Sequence, residues 1–302
     1  MSGDIYSLNR RMRGELHRIE KVSVENKEKI LEFYNYCLAQ GLSKTRILTL
    51  LTVLRELDSI LGMPFRLAEK EDLIKVMAHI ENNGYSDYTK NTYKAVIKQF
   101  WKWLKGLDYY PVQVKWIRSI SSKKRLLPEE LLTMEEVERL VEYADNIKDK
   151  AMVSVLYESG MRVGELLNLK IKNVQFDEHG AILIVWGKTG HRRIRIVQSA
   201  RFLKRWLEVH PNKDNPESSL WSRKHASFMF MLRALAKKAD VKKRVNPHSF
   251  RHSRSTYLAQ FLTESQLCAY LGWVQGSNMP RTYVHLSGRD IDEAILKLNG
   301  II

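Results

Sequence analysis

Residues 181–197 read AILIVWGKTGHRRIRIV. Two β-branched stretches, one ending at Trp186 and one resuming at Arg192, flank the glycine-bounded tetrapeptide Gly187 to Gly190. Such a pattern predicts two antiparallel strands joined by a tight hairpin. Around it, apolar residues recur at helical spacing, so the expected fold is mainly α with a small β-sheet. Lys188 occupies the turn, and His191, Arg192, Arg193 and Arg195 follow it. That density of cations suits a hairpin laid along a nucleic-acid groove; a lysine simply exposed at a hairpin tip is the alternative.

Helices are expected on both sides of the hairpin. Thr133 and Glu136 form a capping box for a helix through residue 142, a largely apolar helix covers 151–158, and Gly160 turns the chain. Downstream, helices resume near Ala200 and Phe228. Asn246, Pro247 and His248 then supply an N-cap, a proline at the first helical position and the helix body. Thr263 and Gln266 box the next helix, which Gly272 ends. Residues 289–298 are amphipathic, with Ile291, Ala294, Ile295 and Leu298 on one face.

Residues 1–106 read as a helical module, with an extension over 1–25. Helices are expected over 26–41, capped by Asn26; over 43–62, capped by Ser43; over 69–81; and from 86 to 106. The last places Tyr93, Val96, Ile97, Phe100 and Trp101 on one face, which is read as core and not as a base-stacking platform. The module is expected to be a four-helix bundle. Over 107–132 the periodicity lapses, Pro111 and Pro128 interrupt it, and the stretch reads as an interdomain linker. Lys123, Lys124 and Arg125 there either touch a phosphate backbone or are merely solvated. The second module runs from 133 to 302.

The 302 residues hold 50 Lys and Arg against 34 Asp and Glu, a net charge of +16. Residues 1–127 contain 23 basic and 14 acidic side chains, and 128–302 contain 27 and 20. A basic tail would gather the excess at one end. Two basic modules instead suit a clamp on one long polyanion, with nucleic acid favoured over an anionic membrane surface. No apolar run reaches the roughly 18–20 residues of a membrane span, because Arg55 cuts the best candidate. The charged N-terminus also lacks the apolar core of a secretory signal. Cys37 and Cys268, far apart, make neither a disulfide framework nor a metal cluster. The expected setting is the reducing cytoplasm, with no membrane partner.

Several patches could carry chemistry. Arg162 and Glu165 share a helix face, where they could grip a phosphate or form an ordinary surface ion pair. The window KKRVNPHSFRHSR at 242–254 holds Lys242, Lys243 and Arg244 and no carboxylate. His248 and Arg251 share a face there. The helix N-terminus disfavours an imidazolium at His248, leaving it available as acid or base; a capping or core histidine is the plain alternative. Trp273 follows Gly272, and Tyr283 lies ten residues further on.

In order, ESGMRVGELLNL (158–169), GKTG (187–190), HSFRH (248–252), YLGW (270–273) and RTYVH (281–285) make the second module resemble the tyrosine recombinase, or lambda integrase, family. The helical first module is similar in architecture to that family's core-binding domain. The resemblance implies that Arg162 and Arg251 are the family's two arginines and Lys188 its hairpin lysine. It further implies that His248 is its histidine, Glu165 the acidic support of the first arginine, and Tyr283 the nucleophile. Trp273 stands where many members have a second histidine. Phe250 replaces the usual leucine, and the step from Trp273 to Tyr283 is one residue longer than is common.

The activity so implied is the cutting and rejoining of double-stranded DNA at a specific site through a 3′-phosphotyrosyl bond, with no metal, cofactor or ATP. Lys188 would protonate the leaving 5′-oxygen, His248 would assist at the tyrosine, and Trp273 would brace the phosphate. A homotetramer on two synapsed sites is implied as well, residues 289–298 docking on a neighbour or on their own domain. The short stretch before the bundle suggests a recombinase without an arm-binding domain. A type IB topoisomerase, a catalytically idle DNA-binding regulator and, less favoured, an RNA-binding module are the alternatives.

Overall fold

A computed structural model describes residues 4–119, 128–187, 190–284, 295, 296 and 298–301. They fall into two units, one over 7–124 and one combining 1–6 with 125–302. The first is built from α1 (Leu8–Ile19), α2 (Val24–Ala39), α3 (Lys44–Leu61), α4 (Lys70–Asn82), α5 (Asp87–Leu104) and the single turn α6 (Val112–Lys115). The Ser43 and Ser86 hydroxyls accept from the Arg46 and Thr89 amides and so start α3 and α5. The stripe on α5 is core throughout. Phe100 meets Phe33 and Phe65 edge-on at 5.2 Å each.

Three details of this unit depart from the sequence reading. The expected extension over 1–25 contains α1, whose Ile19 is buried and whose buried Glu15 accepts from Arg55 Nε at 2.6 Å. Asn26 does not cap α2. It lies in the first turn, 1% exposed, where its amide donates to Asp58 (2.8 Å) and to the Met63 carbonyl (3.0 Å) and its oxygen accepts from Phe65 N–H (2.7 Å). The expected linker over 107–132 starts too early, because Val114 and Ile117 pack into the bundle core. Two apolar residues three apart are enough to dock that turn. Lys123, Lys124 and Arg125 lie outside the described residues.

The second unit runs α7 (Met134–Glu142), α8 (Ile147–Ser159), α9 (Val163–Leu167), β1 (Val174–Asp177), β2 (Gly180–Gly187), β3 (Gly190–Ile196), α10 (Ala200–Glu208), α11 (His225–Lys238), α12 (Pro247–Leu258), α13 (Glu264–Leu271) and α14 (Met279–Val284). The Thr133–Glu136 and Thr263–Gln266 boxes open α7 and α13, and Asn246 caps α12 by accepting from His248 and Ser249 N–H. Ala151, Met152, Val153, Val155 and Leu156 are all fully buried, so α8 is enclosed over most of its circumference, with Lys150, Ser154 and Glu158 on the one partly exposed face. At its end the Glu158 carboxylate accepts from the amides of Val197, Gln198 and Ser199, tying the exit of β3 and the start of α10 to α8.

The hairpin forms as expected, with Gly187 opposite Gly190, and Lys188 between them lies outside the described residues. A third antiparallel strand, β1, extends the sheet in the order β1-β2-β3. It is four residues long and largely exposed, too short to show an alternation. Residues 4–6 belong to this unit: the Ile5 carbonyl accepts from His225 N–H, and the Tyr6 ring lies 4.9 Å from that of His225. The segment 289–298 lies largely outside the described residues, of which it contributes Ile295, Leu296 and Leu298. Among the described residues, no helix is long and apolar enough to cross a membrane.

Replacing Asn26 by Ala strands the Phe65 amide and the Met63 carbonyl inside the first unit. The expected cost is about 1–3 kcal/mol, read as a lowered denaturant midpoint at an unchanged slope; an unchanged midpoint would show that water satisfies these groups.

Candidate active site

Chain ends and turns of the second unit meet at one place: the turn after α8, the end of α13, the inner face of β3, and α12 and α14. Arg251, 5% exposed on α12, donates from Nη1 to the Gly160 carbonyl and from Nη2 to the Leu271 carbonyl, each at 2.7 Å. Arg162 donates from Nη2 to the neighbouring Gly272 carbonyl at 3.2 Å and from Nη1 to Glu165 at 3.2 Å. The two guanidiniums are thus aimed by consecutive carbonyls at the end of α13, and each keeps further N–H donors. Burial, followed by the charge of Arg162, brings the Arg251 pKa down to about 10, which leaves it cationic at neutral pH.

Glu165 anchors this arrangement. Its carboxylate is buried, which pushes its pKa up, but the hydrogen bonds and charges of Arg192 and Arg162 outweigh burial and hold it below the usual carboxylate range. Arg192 is its main partner, through a two-pronged contact of 2.8 and 2.7 Å, and Arg192 Nε donates to the Tyr270 carbonyl at 2.8 Å. The expectation that Arg192 contacts DNA is therefore corrected. On β3 it shares the inward face with Ile194 and Ile196, while Arg193 and Arg195 point outward. Backbone must come close here. A Cβ on Gly187 would lie 2.4 Å from the Glu165 carboxylate, and one on Gly272 would lie 2.7 Å from the Arg192 guanidinium.

Tyr283, on α14, is 2% exposed. Its ring stacks on Trp273 with centroids 5.2 Å apart and planes inclined by 11°, and Trp273 also lies under the Arg251 guanidinium at 5.4 Å. Burial raises the phenol pKa, while the charges of Arg251 and Arg162 pull it back. The hydroxyl meets His252 Nδ1 at 2.7 Å. His252 was not singled out from the sequence, although it is the closing residue of HSFRH and lies one turn after His248 on α12. Burial first, and then nearby positive charge, lowers the pKa of both histidines.

The remaining expected contacts separate clearly. Arg193, Lys242 and Arg244 are exposed, although Lys242 pairs with Asp240. Lys243 is turned inward, to the Leu131 carbonyl at 2.7 Å and Glu136 at 3.0 Å, so its charge is spent on the start of α7. Tyr257 is 42% exposed beside Phe261. Tyr270 is partly buried and donates to the Arg195 carbonyl at 2.9 Å.

Residues 130–289 match the model of the phage integrase family. The chain is 26% identical over 286 residues to tyrosine recombinase XerA of Pyrococcus horikoshii, covering 92% of this chain and 96% of that one. To tyrosine recombinase XerD of Listeria monocytogenes it is 25% identical over 212 residues, 64% of this chain and 69% of the other. Among solved structures, a lambda integrase dimer bound to a COC′ core site has a TM-score of 0.69 at 15% identity, covering 94% of this chain and 82% of that one. XerH bound to palindromic difH substrate in a post-cleavage complex has a TM-score of 0.66 at 20% identity, covering 98% and 97%. A lambda integrase tetramer bound to a Holliday junction has a TM-score of 0.65 at 14% identity, covering 85% and 76%. The family's model spans more than half of the sequence and takes in every residue from Arg162 to Tyr283 that meets at this site; the chain belongs to the phage integrase family, the tyrosine recombinases.

Proposed function

We propose that this chain is a site-specific DNA recombinase that cuts and rejoins DNA strands through a 3′-phosphotyrosyl intermediate formed on Tyr283. The observation that carries the reading is the grouping of two guanidiniums, Arg162 and Arg251, with a tyrosine whose phenol feels the charge of both. Tyrosine attack on a phosphodiester puts negative charge on the nonbridging oxygens, and fixed cationic donors stabilise that charge without reorganising. Arginine suits the task because its planar fork stays ionised even when buried.

In the cleavage step, Tyr283 Oη bonds to phosphorus and the bond from phosphorus to the 5′-oxygen breaks. Lys188 protonates that oxygen, a role carried by the family resemblance. Trp273 holds the tyrosine ring by stacking, and its buried indole narrows the access of water to the reacting phosphate. The phosphotyrosyl bond keeps the energy of the phosphodiester, so a second 5′-hydroxyl can reverse the step on a new strand without ATP. The unit over 7–124 serves as a core-binding domain on the duplex, and the second unit as the catalytic domain. Assembly is a homotetramer on two synapsed sites, and the work takes place on DNA in the cytoplasm.

Tyr283→Phe is expected to bind target DNA as the wild type does and to form no covalent adduct on a nicked suicide substrate. An adduct in that variant would place the nucleophile elsewhere. Arg192→Ala leaves Glu165 buried beside a single remaining partner and should cost about 3–5 kcal/mol in unfolding free energy. Arg193→Ala, one residue on and facing outward, should change stability by less than about 0.5 kcal/mol and lower the salt slope of DNA binding by about 1. Equal stability losses in the two variants would contradict the inward and outward assignment.

A further inference from the structure

We propose that His252 is a catalytic residue of this site, the base that accepts the phenolic proton of Tyr283 as the tyrosine attacks. The inference rests on the nucleophilic role given to Tyr283 above. Among the hydrogen bonds of the site, the one at the nucleophile is made by His252, with Oη and Nδ1 2.7 Å apart. His248 stands one turn earlier on α12, its ring centroid 6.2 Å from that of His252, and its side is exposed. The family resemblance gave His248 the proton work at the tyrosine; the geometry gives it to its neighbour.

Two features make the contact fit for proton transfer. His252 can accept at Nδ1 only as a neutral imidazole, and its surroundings favour the neutral ring: burial, then His248 and Arg251 on its own helix, disfavour the imidazolium. In the proposed step that ring carries its own proton on Nε2. Across from it α14 presents Tyr283, whose ring is held flat against Trp273, so Oη is kept beside the ring nitrogen. The step balances simply. The phenolic proton passes to His252 Nδ1, the oxygen's electron pair forms the bond to phosphorus, and the departing 5′-oxygen takes a proton from the acid on the other side of the phosphate. In religation His252 returns the proton to the tyrosine as it leaves. Arg251 stabilises the phenolate character that develops at Oη while it grips the phosphate, so the histidine meets an acid already weakened in its hold on the proton.

The test is single-turnover cleavage of a suicide substrate by full-length His252→Ala and His252→Gln, with DNA affinity and thermal unfolding measured alongside. Both variants are expected to bind DNA as the wild type does and to cleave about 10²-fold or more slowly. Glutamine can accept the tyrosine's hydrogen bond but cannot take up its proton, so a fully active His252→Gln would reduce the residue to holding the ring, and the proposal would fall. Added imidazole should restore part of the rate of His252→Ala. A substrate with sulfur in place of the leaving 5′-oxygen needs no acid, so the defect of both variants should persist on it; recovery there would move His252 to the leaving-group side and overturn the assignment. Faster cleavage in His252→Ala would likewise overturn it, since the contact would then be a latch on the tyrosine. If the wild type itself forms no adduct with Tyr283 while binding DNA, the recombinase reading fails first.

Discussion

Glu165 has two carboxylate oxygens and four donors. Arg192 supplies two of the hydrogen bonds, and the Arg162 amide and Nη1 supply the others. Through them one buried carboxylate fastens the start of α9 to the inner face of β3, and Arg192 passes the connection on to the end of α13 at Tyr270. Those elements set where Arg162, Gly272 and Trp273 stand, and the carbonyls beside them set where Arg251 points. A buried ion pair is a weak source of stability, because desolvation offsets the attraction, but breaking one is expensive and its geometry is narrow. The site is thus held by an interaction whose main product is position. Gly187 and Gly272 crowd it from two sides, and neither can grow a side chain without striking it.

Against this single carboxylate stand the guanidiniums of Arg162, Arg192 and Arg251, so the cluster carries surplus positive charge. Arg251 registers the strain: burial and the charge of Arg162 weaken its hold on its proton. An anion arriving between the arginines relieves that repulsion and brings its own acceptors for their unused N–H groups. In the proposed reaction that relief grows as the phosphate gains charge between the ground state and the transition state.

How much of this could be read from the residues depends on how local each signal is. Caps are local, so Ser43, Ser86, Thr133, Asn246 and Thr263 start helices where their spacing says they should. Arg162, Arg251 and Tyr283 came from motif order, and the fold brings them to one place. Arg192 reads as a surface residue because it stands among His191, Arg193 and Arg195, although its phase with Ile194 and Ile196 already sets it inward. The role of His252 is not legible in the sequence, because its contact with Tyr283 depends on where α14 packs against α12. Asn26 carries the wider lesson. A polar residue at a plausible helix start looks like a cap, and only tertiary packing reveals that its partners lie 32, 37 and 39 residues away.

The first described residues also have a topological consequence. Ile5 packs against the core of the second unit, and the Tyr6 hydroxyl lies where a Cβ on Gly164, in the first turn of α9, would come within 3.0 Å. The second unit therefore takes in described residues from both sides of the bundle in sequence, 4–6 before it and 128 onward after it. Trimming the first six residues, or fusing a bulky tag to them, acts on the unit that holds Tyr283, although in sequence those residues adjoin the other one.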